Sequence, residues 1–299
     1  MSLYLGETKI KGVNLPSFDF IKAFFDAGGK CADSIATSFE GIIPFEATSN
    51  VVDMENMFAN CEKLTSIPLF DTHNVTSMYQ MFYYCKNLAT VPLFDTSKVT
   101  TMYRMFESCS SMKSVPLFDT HNVTNMQQMF NNCQALTSVP SFDASNVTTM
   151  QNMFYYCANI TSVSLLNTSK VTNMNSMFSV CDKLTSVSLF DTSNVTDMED
   201  MFYSCGSLTS IPAFDVSKVT NMNRMFKYCR KLETIHMRNI GVSLFIDSST
   251  LFTREALLEI IGNLKTVTTT KTLTMGATNL AKLTDEDKAI ATNKGWTLA

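Results

Sequence analysis

Residues 64–85 read LTSIPLFDTHNVTSMYQMFYYC and residues 88–109 read LATVPLFDTSKVTTMYRMFESC, the same pattern in the same phase 24 residues on. Eight cysteines at 61, 85, 109, 133, 157, 181, 205 and 229 keep that spacing without an insertion or deletion. A fixed period of this length is the mark of a solenoid, in which one short unit is stacked and each copy touches only its neighbours. Leu64, Ile67 and Leu69 fit the L-x-x-L-x-L signature of a leucine-rich repeat, which predicts one short strand per coil with these three side chains turned inward. Met78, Met81, Phe82 and Cys85 fall at i, i+3, i+4 and i+7, the spacing of one face of a short helix, with Thr76 as its cap. The expected fold is an α/β leucine-rich-repeat solenoid of about eight 24-residue coils, each a short strand, a turn and a short helix.

The ends depart from the pattern. A degraded copy precedes Cys61, with Ile43, Pro44 and Phe45 in the places of Ile67, Pro68 and Leu69. Upstream, Phe18 to Ala27 reads as an amphipathic helix stopped by Gly28 and Gly29. Downstream, Thr253 to Ile261 reads as a helix ended by Gly262, Lys271 to Met275 as a strand, and Thr284 to Asn293 as a second helix. Trp296, the only tryptophan, is expected to plug the end of the core. The predicted organisation is an N-terminal cap over 1–36, repeats over 37–240 and a C-terminal cap over 241–299.

Composition narrows the function classes. Charged residues are 17% of the chain, so Ser, Thr and Asn must cover much of the surface. A net charge of −4 gives no basic footprint for nucleic acid. No run of 18 apolar residues offers a membrane span, and Met1 to Gly12 lacks the apolar core of a signal peptide. The cysteines share the Met/Phe face and are expected to be buried thiols acting as small hydrophobes rather than disulfides.

The full motif, L-T-S-I/V-P-L-F-D-T-S-x-V-T-x-M-x-x-M-F-x-x-C, resembles the BspA-like leucine-rich repeats of the Met-Phe type over about residues 37–240. The tail from Thr272 is similar to the ends of such proteins in gut bacteria and their prophages, and the opening YLGETKIKGV resembles the starts of some phage tail-associated proteins. The resemblance implies adhesion or binding at the bacterial cell surface, in the extracellular space, or on a virion.

Candidate binding residues come from the slots that vary between coils, because the constant ones are accounted for by stacking. The slots of Tyr79, Gln80, Tyr83 and Tyr84, with the two after the cysteine, hold eight of the nine tyrosines: Tyr79, Tyr83, Tyr84, Tyr103, Tyr155, Tyr156, Tyr203 and Tyr228. Arg104 and Arg224 lie among them. Tyrosine among small polar residues suits an adaptable contact surface, so the sequence points to a host protein or glycan as partner. The alternative reading of the same rings is that they shield the backbone between coils. The outward strand slots look monotonous, Ser66 and Pro68 being typical.

Asp71, Asp95, Asp119, Asp143, Asp191 and Asp215 form a second column, interrupted by Asn167. Its turn position favours carboxylates accepting backbone N–H bonds over a calcium site. Asn74, Asn122, Asn146 and Asn194 open N-V-T sequons through the needs of the same turn. The three histidines are scattered, no zinc spacing or phosphate loop appears, and no cofactor or metal is implied. The expectation is a non-enzymatic recognition protein. The alternative is a structural assembly module of a phage tail or surface particle that makes its contacts through the caps.

Overall fold

The computed structural model describes residues 48–164 and 166–299, together with the antiparallel strands β1 (Leu3–Leu5) and β2 (Thr8–Ile10). The helix predicted over 18–27 and the start of the degraded repeat at 43–45 lie outside the described residues. From Asp53 to Asn221 the chain is a repeat solenoid. Parallel bridges join Asp53, Ser77, Thr101, Asn125, Thr149, Asn173, Asp197 and Asn221 in succession, one every 24 residues.

The helix expected in each coil is absent. Met78 to Cys85 instead makes two consecutive tight turns, Met81 N–H donating to Met78 C=O at 3.3 Å and Cys85 N–H to Phe82 C=O at 3.2 Å. Gln80 and Tyr84 sit at φ 52° and 62°, and the same two slots are left-handed in every coil from Asn56 to Tyr228. A left-handed residue flips the peptide out of the helical i→i−4 direction. Met78, Gln80, Phe82 and Tyr84 therefore send their N–H groups to Thr101, Tyr103, Met105 and Glu107 of the next coil, at 3.2, 2.9, 2.9 and 2.7 Å. The four peptide units point the same way in successive coils, so their dipoles align along the solenoid axis as they do along a helix. The cap also differs. Ser77 Oγ, not Thr76, accepts the N–H of Tyr79, while Thr76 Oγ1 donates to Val52 C=O of the preceding coil.

The expected strand is also reduced. Pro68, Pro92, Pro116, Pro140 and Pro212 have no N–H to donate at the point where a ladder would continue, and the coils with Ser164 and Ser188 in that slot have no strand there either. Where His236 fills that slot, its N–H bonds Ile211 C=O at 3.0 Å, and β3 (Ser210–Ile211) pairs in parallel with β4 (Thr234–Ile235). Leu64, Ile67 and Phe70 face the core, but Leu69 faces solvent, which corrects the inward placement expected of it.

The core is a set of columns. Phe58, Phe82, Phe106, Phe130, Phe154, Phe178, Phe202 and Phe226 stack with ring centroids 5.4 to 6.0 Å apart and planes within 8° of parallel. Methionines line both sides, fully buried. The thiols of Cys85 through Cys229 are free, and each donates to the phenylalanine carbonyl of the preceding coil, as Cys85 does to Phe58 at 3.0 Å. Cys61 is the exception to the expected column of thiols, because it is disulfide-bonded. Buried threonines form a further column: Thr48, Thr72, Thr96, Thr120, Thr168 and Thr192 each donate to the Asp C=O one coil on, at 2.7 to 2.8 Å.

After Ile240 a different segment continues the same core. Strand β5 (Leu244–Phe245) pairs in parallel with β6 (Lys271–Thr274), which pairs with β7 (Trp296–Leu298). Helix α1 (Arg254–Gly262) is capped by Thr253, and α3 (Asp285–Thr292) by a reciprocal Thr284/Asp287 capping box; between them lies the short α2 (Gly276–Leu280). Arg254 grips Asp287 through two hydrogen bonds of 2.8 and 2.7 Å and ties α1 to α3. Trp296 is buried, with Nε1 donating to Lys265 C=O at 2.8 Å.

Candidate functional site

The turn pair from Met78 to Cys85 positions the variable side chains. Its backbone is held by bonds to the adjacent coil, so the slots of Tyr79, Gln80, Tyr83 and Tyr84 accept many residue types without altering the path. Left-handed φ is rare outside Gly, Asn and Asp. Here it is adopted by Tyr84, Tyr156, Arg104, Arg224 and Tyr228 at 54–68°.

The tyrosines gather into three groups rather than one continuous ladder. Tyr79 stacks on Tyr103 at 5.0 Å, and Tyr83 tilts against Tyr84 at 5.8 Å. All four are half-buried, as the shielding reading requires. Tyr155 and Tyr156 stand exposed two coils away, and Tyr203 meets Tyr228 edge-on at 5.3 Å near the last turn. Cations cover several rings: Lys86 lies 4.3 Å over Tyr84, Arg104 5.0 Å over Tyr103, and Lys227 5.2 Å over Tyr228.

Both arginines are engaged. Arg104 bonds Gln128 and pairs with Glu107 at 3.1 Å, and Arg224 pairs with Asp200 and, at 3.4 Å, with Glu199. Burial raises the carboxyls of Glu107 and Asp200 above their ordinary range, and the neighbouring arginines oppose that rise. These pairs fix the guanidinium groups, leaving the exposed rings as the adaptable part of the surface.

The aspartate column caps turns. Asp95 Oδ1 accepts the N–H and hydroxyl of Ser97, and Asn167 does the same for Ser169 without charge. These bonds hold the Asp95 carboxyl below its ordinary range. His73 donates to Asp71 and His121 to Asp119, each at 2.6 Å, while Asn74 and Asn122 amides occupy the other ring nitrogen. Among the described residues no group of three or more His, Cys, Asp and Glu could hold a metal ion. The sequon asparagines are also committed. Asn74 donates to Ser49 C=O and accepts from Lys98, and Asn146 and Asn194 bond in the same way to His121 and Lys170, and to Ser169 and Lys218.

Two features were missed in the sequence. The first is the exposed column of Leu69, Leu93, Leu117 and Leu189, which the leucine-rich-repeat template places inside. The buried Phe70 next to Leu69, repeated in most coils, was the signal for it. The second is a shallow depression of about 500 Å³ lined by Ser141, Asp143, Leu166, Asn167, Leu189 and Asp191 among others, where several constant slots change at once.

No helix among the described residues is long and apolar enough to cross a membrane. No curated protein matches the chain. Solved structures similar to it include a leucine rich repeat protein of T. pallidum, at 14% identity over 83% of this chain and 79% of that one, with a TM-score of 0.35. Another is a leucine-rich repeat protein of Eubacterium ventriosum, at 19% identity over 65% and 60%, TM-score 0.40. A leucine rich cell surface protein of Faecalibacterium prausnitzii aligns at 18% identity over 71% and 74%, TM-score 0.28. One family model matches in four overlapping stretches, residues 32–140, 85–185, 136–239 and 183–282, which tile nearly the whole described solenoid and the segment after it. This chain therefore belongs to the family described as Mycoplasma protein of unknown function, DUF285.

Proposed function

We propose that the protein is a non-enzymatic recognition scaffold of the BspA-like kind, which binds a glycan or a host protein through the turn side of the solenoid. The observation that carries this is the separation of labour within each coil. Met, Phe and Cys slots and the cross-coil bonds hold the backbone, while the intervening slots vary freely and expose tyrosine. The contact residues are Tyr79, Tyr83, Tyr84, Tyr103, Arg104, Tyr155, Tyr156, Tyr203, Arg224 and Tyr228, with Tyr155, Tyr156 and Tyr228 the most available rings. A disulfide at Cys61 suits an oxidising compartment, in keeping with a cell-surface, extracellular or virion setting.

The test is a glycan and mucin screen of the parent beside a variant with Tyr83, Tyr84, Tyr155 and Tyr156 changed to Ser, after matching their thermal melts. Binding by the parent and loss in the variant is the expected result. Equal binding by both would remove the tyrosine surface from the account. The alternative, a structural assembly module acting through its ends, draws support from Phe245, Leu251 and Ile290, which are exposed apolar residues in the segment after the repeats. Self-association abolished by changes at those three positions, with no glycan bound, would favour it.

A further inference from the structure

The slot of Leu69 is the place where the repeat sets a large aliphatic residue in solvent. Leu69, Leu93, Leu117 and Leu189 are 49%, 59%, 60% and 55% exposed, while the phenylalanine after each is buried. Stacking supplies no reason for leucine here. Ser141 fills the slot in another coil, and the parallel bridges Asn125 to Thr149 and Thr149 to Asn173 continue around it.

Two residues beyond each leucine comes the aspartate column. The seven segments 66–73, 90–97, 114–121, 138–145, 162–169, 186–193 and 210–217 contain six aspartates and not one lysine, arginine or glutamate. Lys98, Lys170 and Lys218 follow one residue beyond three of these segments, with their ammonium groups bonded to Asn74, Asn146 and Asn194 of the preceding coil, so six negative charges stand against three lysines and the stripe keeps a net negative charge. The turn bonds use Oδ1 of Asp95 and Asp119, both exposed residues, which leaves the second carboxylate oxygen for a partner. A solvent-exposed apolar row flanked by a row of one charge is complementary to an apolar face flanked by the opposite charge.

Spacing selects the form of that partner. Successive coils joined by parallel bridges repeat every ~4.8 Å. A helix offers a new turn of side chains every ~5.4 Å, within about 0.6 Å of that repeat. An extended strand offers side chains on one face only every ~6.7 Å and loses register at once. We propose that Leu69, Leu93 and Leu117, with the aspartates beside them, dock a basic amphipathic α-helix of a partner protein laid along the solenoid axis. Leucines of the helix pack between these leucines, and its lysines or arginines meet Asp95 and Asp119. This surface is separate from the tyrosine slots and stands or falls without them.

The chain itself supplies substitutions that keep the fold, Ser at the leucine slot as in Ser141 and Asn at the aspartate slot as in Asn167. A fluorescent synthetic helix with leucines along one face and lysines on its flank is titrated against the full chain by anisotropy. A peptide of identical composition with scrambled helical phase serves as the control. The expected result is saturable binding of the phased peptide. The pair Leu93→Ser and Leu117→Ser weakens it about tenfold or more. The pair Asp95→Asn and Asp119→Asn weakens it severalfold and flattens its dependence on salt. Absence of binding, equal binding of the scrambled peptide, or indifference to the leucine changes would each overturn the proposal. So would a dimer of the parent in sedimentation that dissociates in the leucine variant, since that assigns the stripe to a second copy of the chain.

Discussion

Ala144 breaks the buried threonine column, and replacing it by threonine should stabilise the protein. In the coils on either side, Thr120 donates to Asp143 C=O and Thr168 to Asp191 C=O, both at 2.8 Å. Ala144 is fully buried and has no hydroxyl, so Asn167 C=O lacks the donor its counterparts receive. Ala144→Thr adds one buried hydrogen bond, about 1 kcal/mol net, and one buried methyl group, about 0.8 kcal/mol. Ordering the side chain offsets about 0.5 kcal/mol of that. The net gain is about 1 kcal/mol, which raises Tm by about 2 °C in a chain of this size. The assay is urea unfolding followed by circular dichroism, with Ala144→Val as the control that fills the slot without a donor and Thr120→Ala as the converse loss. The midpoint should rise for Ala144→Thr at unchanged slope, change little for Ala144→Val, and fall for Thr120→Ala. Equal midpoints for the Thr and Val variants would refute the hydrogen-bond reasoning. A midpoint for Ala144→Thr below the parent would show that the slot cannot take the side chain.

Two further outcomes follow from the backbone and the core. Val180 is a β-branched residue at φ 61° in a slot where Asn60 and Asn132 adopt the same angle, so Val180→Asn should relieve strain and raise stability by about 1 kcal/mol, read from the thermal melt. The thiols of Cys85, Cys157 and Cys229 are pushed up to about 12 by burial. Desolvation also raises Cys109, Cys133, Cys181 and Cys205. A thiol-specific reagent at about pH 8 should therefore label none of the seven in the folded protein and all of them in concentrated urea. Because the folded values are the higher ones, the protonated thiols contribute stability in full below about 9, and that contribution is lost as pH rises toward 12. Labelling at pH 8 without unfolding, or a flat stability profile across that window, would contradict the buried column.

The helix assigned to Met78–Cys85 shows where reading the sequence stops. Met, Met, Phe and Cys at i, i+3, i+4 and i+7 mark one face of a helix, and two successive tight turns bring the same four inward. The signal that separates them was present. Asn fills the left-handed slots at 56, 60, 132 and 152, and asparagine is the non-glycine residue that most readily visits that region. At Tyr84, Tyr156 and Val180 no such signal exists, because the angle is imposed by N–H bonds to the adjacent coil rather than by the residue itself. The tyrosine slots were legible because they vary in sequence. Their division into three groups was not, since ring contacts depend on the separation of coils. The leucine stripe was missed because two inward registers, ending at Leu69 or at Phe70, fit the repeat signature nearly as well, and only packing of the larger ring chooses between them.

Hydrophobic spacing and capping residues act over a few positions, so the period, the Met, Phe and Cys columns of the turn side and the elements after the repeats could be read from the chain alone. Thr253, Thr284 and Trp296 were readable in that way. The path between those fixed points, and the choice of Phe70 over Leu69 for the core, came from packing across the stack. The N–H groups of Met78, Gln80, Phe82 and Tyr84 find acceptors 23 residues away in the next coil, and a choice between bonding within a segment and bonding across a stack is made by the stack.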